Sequence, residues 1–245
     1  MKDATPISSS GPAATVSGEG YVTAIEGIES NRRARAAFLA LVMSHAPRAA
    51  RVLDFGCGPG IDALHYSRAG FDVEAFDIDP QMCASFRIRC REGIERGKVV
   101  LHDCSYEEFL ESRDIGPVDL VTANFAPLSM IDRLRPLFER LHALTRPHAR
   151  LVLSVLNPWS LHDLRYRWWW RHRLAYLRAG EFCVPGPGYH IHRRSVAVLQ
   201  RAASPAFRLV QIQRGLPLTR VAALPGLRAL ARMSGGFIFL VFERC

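Results

Sequence analysis

The chain has 245 residues and a mass of 27.4 kDa, too long for a minimal domain and short for two full ones, so one large domain or one domain with an added lobe is expected. Its 49% hydrophobic and 22% charged residues exclude wholesale disorder. The net charge of +9 is uneven: residues 160–235 hold 13 arginines against Asp163 and Glu181, a net of +11, and the rest carries −2, which excludes a protein coated in positive charge like a nonspecific nucleic-acid packager.

Met1 to Gly20 is rich in Ser, Pro, Gly, Ala and Thr and has no hydrophobic signal core, so residues 1–18 are expected to be a disordered tail and 19–50 to form cap helices. From there strand and helix signals alternate. Arg51–Phe55, Phe71–Asp77, Lys98–Leu101, Val118–Ala123 and Ala149–Leu156 read as strands. Ile61–Ala69, closed by Gly70, Gln81–Arg96, entered at Pro80 and closed by Gly97, and Ile131–Thr145 read as helices. The alternation predicts βαβ units and a parallel sheet covered on both faces, with ligands bound beyond the C-terminal strand ends. Asn157-Pro158 ends the fifth strand and opens a lobe over about 157–190. There a helix is expected from Leu161 to Leu177, and Val184-Pro-Gly-Pro-Gly188 argues against regular structure. Arg194–Ala203 reads as a helix, and Phe207–Arg214 and Gly236–Glu243 as two final strands forming an antiparallel edge, with a long linker over 216–234. No stretch reaches the roughly 18 apolar residues of a membrane-spanning helix. The six cysteines form no CxxC pair, so reduced thiols in the cytoplasm are expected.

The most specific segment is Val52-Leu-Asp-Phe-Gly-Cys-Gly-Pro-Gly60, a strand running into three spaced glycines and then a helix. Glycines let the backbone turn tightly and let a ligand approach without interference from Cβ. The spacing is G-x-G-x-G, not the G-x-G-x-x-G of dinucleotide binding, which disfavours an NAD enzyme, and no Gly-Lys-Ser/Thr follows as in a Walker loop. With Asp54 two residues before the first glycine, the segment resembles motif I of the class I S-adenosylmethionine-dependent methyltransferases at every position.

That resemblance implies a doubly wound, Rossmann-like, seven-stranded and mostly parallel sheet with an antiparallel last strand and a helical lid inserted after strand five. Residues 51–245 then form the methyltransferase domain. It implies S-adenosyl-L-methionine as cofactor, with Asp54, Gly56, Cys57, Gly58 and Gly60 around its amino-acid part. Asp77 becomes the ribose residue, Ile78 and Met82 pack on adenine, and Asp103 with Cys104 lies near the adenine amino group. Asn124 and Phe125 lie under the methionine moiety, and Tyr21 and Arg33 belong to the N-terminal cap. Asp79 is expected to cap the helix after it. Asn124-Phe-Ala-Pro127 departs from the Asn/Asp-Pro-Pro-aromatic motif of adenine-amino methylation, which disfavours that role.

Methyl transfer from a sulfonium needs little acid–base machinery, because positioning and desolvation carry much of the rate. Where a base is needed, the candidates are Tyr189, His190 and His192, just past the Pro-Gly segment. No metal is expected, since His162, His172, His190 and His192 show no tight ligand spacing. The expected substrate is a small molecule methylated on oxygen or nitrogen, with an RNA substrate and a non-catalytic cofactor-binding role as alternatives. The Arg/Trp-rich 165–178 segment is expected to bury its tryptophans as a lid helix or to contact an anionic membrane peripherally. Oligomeric state is not legible from the sequence.

Overall fold

The structure is a computed structural model and describes residues 18–160, 163, 166–185, 190–214 and 235–245. Two helices open it, α1 (Gly18–Glu26) and α2 (Glu29–His45). Then follow β1 (Arg51–Phe55), α3 (Ile61–Arg68), β2 (Asp72–Asp77), α4 (Pro80–Arg89), α5 (Arg91–Glu95), β3 (Val99–Asp103), α6 (Tyr106–Glu111), β4 (Val118–Ala123), a 3-10 turn (Pro127–Met130), α7 (Leu134–Leu144) and β5 (Thr145–Leu156). The inserted lobe holds α8 (Arg167–Ala179) and the strands β6 (Glu181–Pro185) and β7 (His190–Arg194); α9 (Val196–Ala203), β8 (Phe207–Arg214) and β9 (Phe237–Arg244) complete the fold.

The main sheet has the order β3-β2-β1-β4-β5-β9-β8. Strands β1 to β5 pair in parallel, and β9 runs antiparallel to both neighbours, as expected. Both faces are covered. Leu53, Val121, Leu151 and Leu240 point into one apolar layer with Leu137, Phe138 and Leu141 of α7 and Leu199 of α9. Their neighbours Val52, Leu120, Val152 and Val241 point into the other, with Phe38 and Val42 of α2, Tyr66 of α3 and Phe86 of α4. This is the period-two alternation of a strand with helices on each side.

Several local expectations are corrected. The helix predicted over 81–96 breaks at Cys90 into α4 and α5. The lobe is part strand: β6 and β7 form an antiparallel hairpin that runs through Val184 and Pro185, where irregular backbone is expected. Pro185 stands at the last ladder position, opposite His190, at the end of a two-stranded sheet, a place where a missing N–H is tolerated. The lid helix starts at Arg167 rather than Leu161. The expected tail, but for Gly18, and the linker over 216–234 lie outside the described residues.

Candidate functional site

Three glycines carry the chain from β1 into α3 with positive φ: 72° at Gly56, 54° at Gly58 and 83° at Gly60. The loop is fastened to β2, because the Gly56 and Cys57 amides donate to the Phe76 carbonyl at 2.8 and 3.0 Å. A Cβ at Gly60 would lie 2.7 Å from the Phe86 ring and 2.9 Å from the Cys90 sulfur, so that glycine serves packing. A Cβ at Gly58 would meet nothing within 4 Å, which leaves the loop's middle open to a ligand.

Carboxylates surround this opening. Asp54 is buried; one oxygen accepts the Thr122 hydroxyl at 3.0 Å, and Oδ2 has no partner among the described residues. Burial, and then the Asp62 carboxylate, push Asp54 well above the usual carboxylate range. Asp77 Oδ2 accepts the Gly58 amide at 2.7 Å and Oδ1 the Asp79 amide at 3.0 Å, while burial raises its pKa. Asp103 stands in register beside Asp77 at the end of β3, half exposed and paired with Arg87, whose guanidinium holds it below its ordinary value. Asp79 caps α4 as expected, accepting from the Gln81 and Met82 amides at 2.8 and 3.3 Å. Ile78 is exposed and Met82 buried. Cys57 is buried in one apolar layer of the sheet and Cys104 is half-buried against the other.

Asp62, which the sequence reading does not single out, organises the inner wall. It pairs with Arg35 and accepts from Asn124 Nδ2 at 2.8 Å. Arg35 also reaches Glu26 at 2.8 Å and sits 4.6 Å above the Phe125 ring. Phe125 and Ala126 both have positive φ, 56° and 62°, a strained conformation for residues with side chains. The Asn124 side chain takes the Phe125 amide at 2.9 Å, and Phe237 meets the ring edge-on at 5.2 Å. Of the arginines of α2, Arg35 faces this wall, while Arg33 is exposed and paired with Glu29. Tyr21 of α1 lies within electrostatic reach of Arg35, Asp77 and Asp62, and burial pushes it up to about 12.

Of the base candidates, Tyr189 lies outside the described residues and His190 is exposed. His192 is mostly buried and bonds Asp132 Oδ1 through Nε2 at 2.8 Å; the pairing lowers the Asp132 carboxyl. Arg194 fastens β7 to the segment after Phe125, donating to the carbonyls of Leu128, Ile131 and Asp132 at 2.9, 2.7 and 2.9 Å.

The residues fit S-adenosylmethionine. The orphaned, buried Asp54 oxygen suits an ammonium, the Asp77 carboxylate at a strand end suits a ribose diol, and the space over Gly58 suits a backbone-hugging ligand. A pyrophosphate would meet Asp54, Asp62 and Asp77 with like charge.

A sequence profile of the methyltransferase domain family matches residues 28–185, well over half of the chain. The malonyl-[acyl-carrier protein] O-methyltransferase of Enterobacter lignolyticus is 31% identical over 140 residues, 57% of this chain and 51% of that protein. A dTDP-3-amino-3,6-dideoxy-alpha-D-glucopyranose N,N-dimethyltransferase of Streptomyces fradiae is 29% identical over 154 residues, 61% of this chain and 56% of that protein. The chain therefore spans about half the length of these curated relatives. The crystal structure of Burkholderia thailandensis 1,6-didemethyltoxoflavin-N1-methyltransferase, with S-adenosylhomocysteine bound, superposes with a TM-score of 0.59 at 21% identity over 93% of this chain and 86% of that one. The chain belongs to the methyltransferase domain family, and S-adenosylmethionine is the cofactor of its site.

Proposed function

We propose that the chain transfers the methyl group of S-adenosylmethionine to an oxygen or nitrogen of a small molecule. One observation carries the reading: a buried carboxylate, Asp54, adjoins an open glycine loop with one oxygen unpartnered among the described residues, a site suited to a cation. When bound, the cofactor supplies a methyl group already activated on a positively charged sulfur. Arg35 and Asn124 position the Phe125 segment beside it through Asp62, and Asp54 and Asp77 orient it. His192 removes the acceptor's proton. With Nε2 held by Asp132, Nδ1 is the ring's basic nitrogen, the arrangement that fixes a histidine tautomer. The relatives that methylate an acyl-carrier-bound malonyl oxygen and an amino-sugar nitrogen support an acceptor of this class.

The test is label transfer. The purified chain, given methyl-tritiated S-adenosylmethionine, is offered a malonyl thioester, an amino-sugar nucleotide, a small-molecule extract and total RNA. Tritium in a small molecule, with release of S-adenosylhomocysteine, supports the reading. Label confined to RNA, no transfer despite cofactor binding, or calorimetric binding of NAD but not the sulfonium would each replace it.

A further inference from the structure

The lid helix α8 buries one apolar face and exposes another. Inward, Trp169 is buried, donates through Nε1 to the Pro158 carbonyl at 3.0 Å and meets Trp159 edge-on at 5.6 Å. His172 and Tyr176 pack on Phe182 of β6. The tryptophan that the lobe buries is thus Trp169. Trp170, Leu174 and Leu177 face outward, 51%, 63% and 57% exposed. These three recur at the i, i+4, i+7 spacing of one helix face.

Charge frames this stripe. On a 100° wheel Arg171 and Arg178 fall on one flank and Arg173 on the other, its guanidinium 5.9 Å from the Trp170 ring. All three arginines are exposed, and α8 contains no carboxylate. A helix facing only water carries its charges along the centre of its outer face. Here apolar side chains hold the centre and arginines the margins, the pattern of a helix lying in a membrane interface, with rings and leucines below the headgroups and guanidinium groups at phosphate level. None of the described helices is long and apolar enough to cross a membrane.

We propose that α8 docks on the surface of an anionic lipid bilayer, Trp170, Leu174 and Leu177 entering the headgroup layer and Arg171, Arg173 and Arg178 contacting lipid phosphates. The inference goes beyond the assignment of the methyl acceptor and does not depend on it.

The experiment is co-sedimentation of the full chain with vesicles of phosphatidylcholine alone and of phosphatidylcholine with phosphatidylglycerol. The expected result is binding to the anionic vesicles only, weakened by added salt, with a blue shift of tryptophan emission. L174E/L177E should weaken binding roughly 100-fold, the loss of two interfacial leucines. R171Q/R173Q should weaken it about tenfold or more, since each basic group near such a surface contributes several-fold. Both variants keep the wild-type Tm and S-adenosylmethionine affinity, which separates a failure of docking from a failure of the methyltransferase reading. Three results overturn the proposal: no binding to either vesicle, equal binding to both, or undiminished binding by L174E/L177E. So does a wild-type dimer abolished by L174E/L177E, or RNA binding through the same arginines, in a chain that ignores vesicles.

Discussion

Arg35 and Asp62, 27 residues apart, form an ion pair whose side chains are only 11% and 7% exposed, and through it the N-terminal helices are joined to the first turn after the glycine loop. Removing one partner of such a pair leaves a buried charge without compensation, at a cost of about 3–5 kcal/mol. Arg35→Met should therefore lower Tm by roughly 6–20 °C. Arg35→Met/Asp62→Asn should lose less than the sum of the single changes, because the orphaned charge is gone. Additive losses in thermal denaturation would show that the two side chains do not act as a pair.

Asp54 gives a pH prediction with a definite sign. Its folded pKa lies above its unfolded one, so its ionised form costs stability. That penalty is absent below the unfolded value of about 4 and grows as pH rises through the folded one. Cofactor-free Asp54→Asn should therefore match or exceed wild type in Tm at neutral pH and above, and lose that advantage in acid. Its affinity for S-adenosylmethionine should fall about 10–100-fold, the worth of one charge-assisted hydrogen bond. Wild-type affinity should rise with pH as Asp54 ionises, and the variant's should be flatter. Calorimetry across pH decides; parallel curves would remove Asp54 from contact with the cation.

Two glycines of one loop should fail differently. Gly60→Ala drives a methyl into Phe86 and Cys90, and overpacking of that kind costs about 1–3 kcal/mol, so Tm falls. Gly58→Ala meets no atom of the described residues within 4 Å and carries only the left-handed backbone cost of about 1–2 kcal/mol. Its larger effect should be on cofactor affinity, because the new methyl stands where the ligand approaches. If Gly58→Ala binds S-adenosylmethionine as wild type does, the ligand does not pass over that residue.

His192→Ala should lower kcat by about 10²–10⁴ with cofactor affinity unchanged, the usual range for a general base. Asp132→Asn should cost less and displace the pH–rate profile, because a neutral amide fixes the ring more weakly than a carboxylate. An acceptor whose methylation rate ignores both changes needs no base from this pair.

The parts of the site that were legible were local in the chain. Asp54, Gly56, Gly58, Gly60, Asp77 and the Asp79 cap lie on two consecutive strand–loop–helix units, where spacing encodes geometry. Arg35 was hidden by its charge. Its one signal was position: it shares the buried stripe of α2 with Phe38 and Val42 at helical spacing, while Arg33 faces Glu29 one turn away on the outside. Asp62 and Asp132 were illegible because their partners come from distant segments. The β6–β7 hairpin is not legible because Pro185 masks a strand whose ladder ends there. On α8 the helix was readable, but not which tryptophan would face the core, since that depends on Trp159 and Phe182 outside the helix.

Strand β9 lies between β5 and β8, though it follows both in the chain. During synthesis β8 therefore has no place to dock until residues 237–244 leave the ribosome, and β5 keeps an open edge until then. Long-range pairings of this kind form slowly and expose unpaired strand to other chains in the meantime. The cofactor half, β1 to β5 with its carboxylates, can assemble first, and the last strand then closes the sheet beneath a binding site already in place.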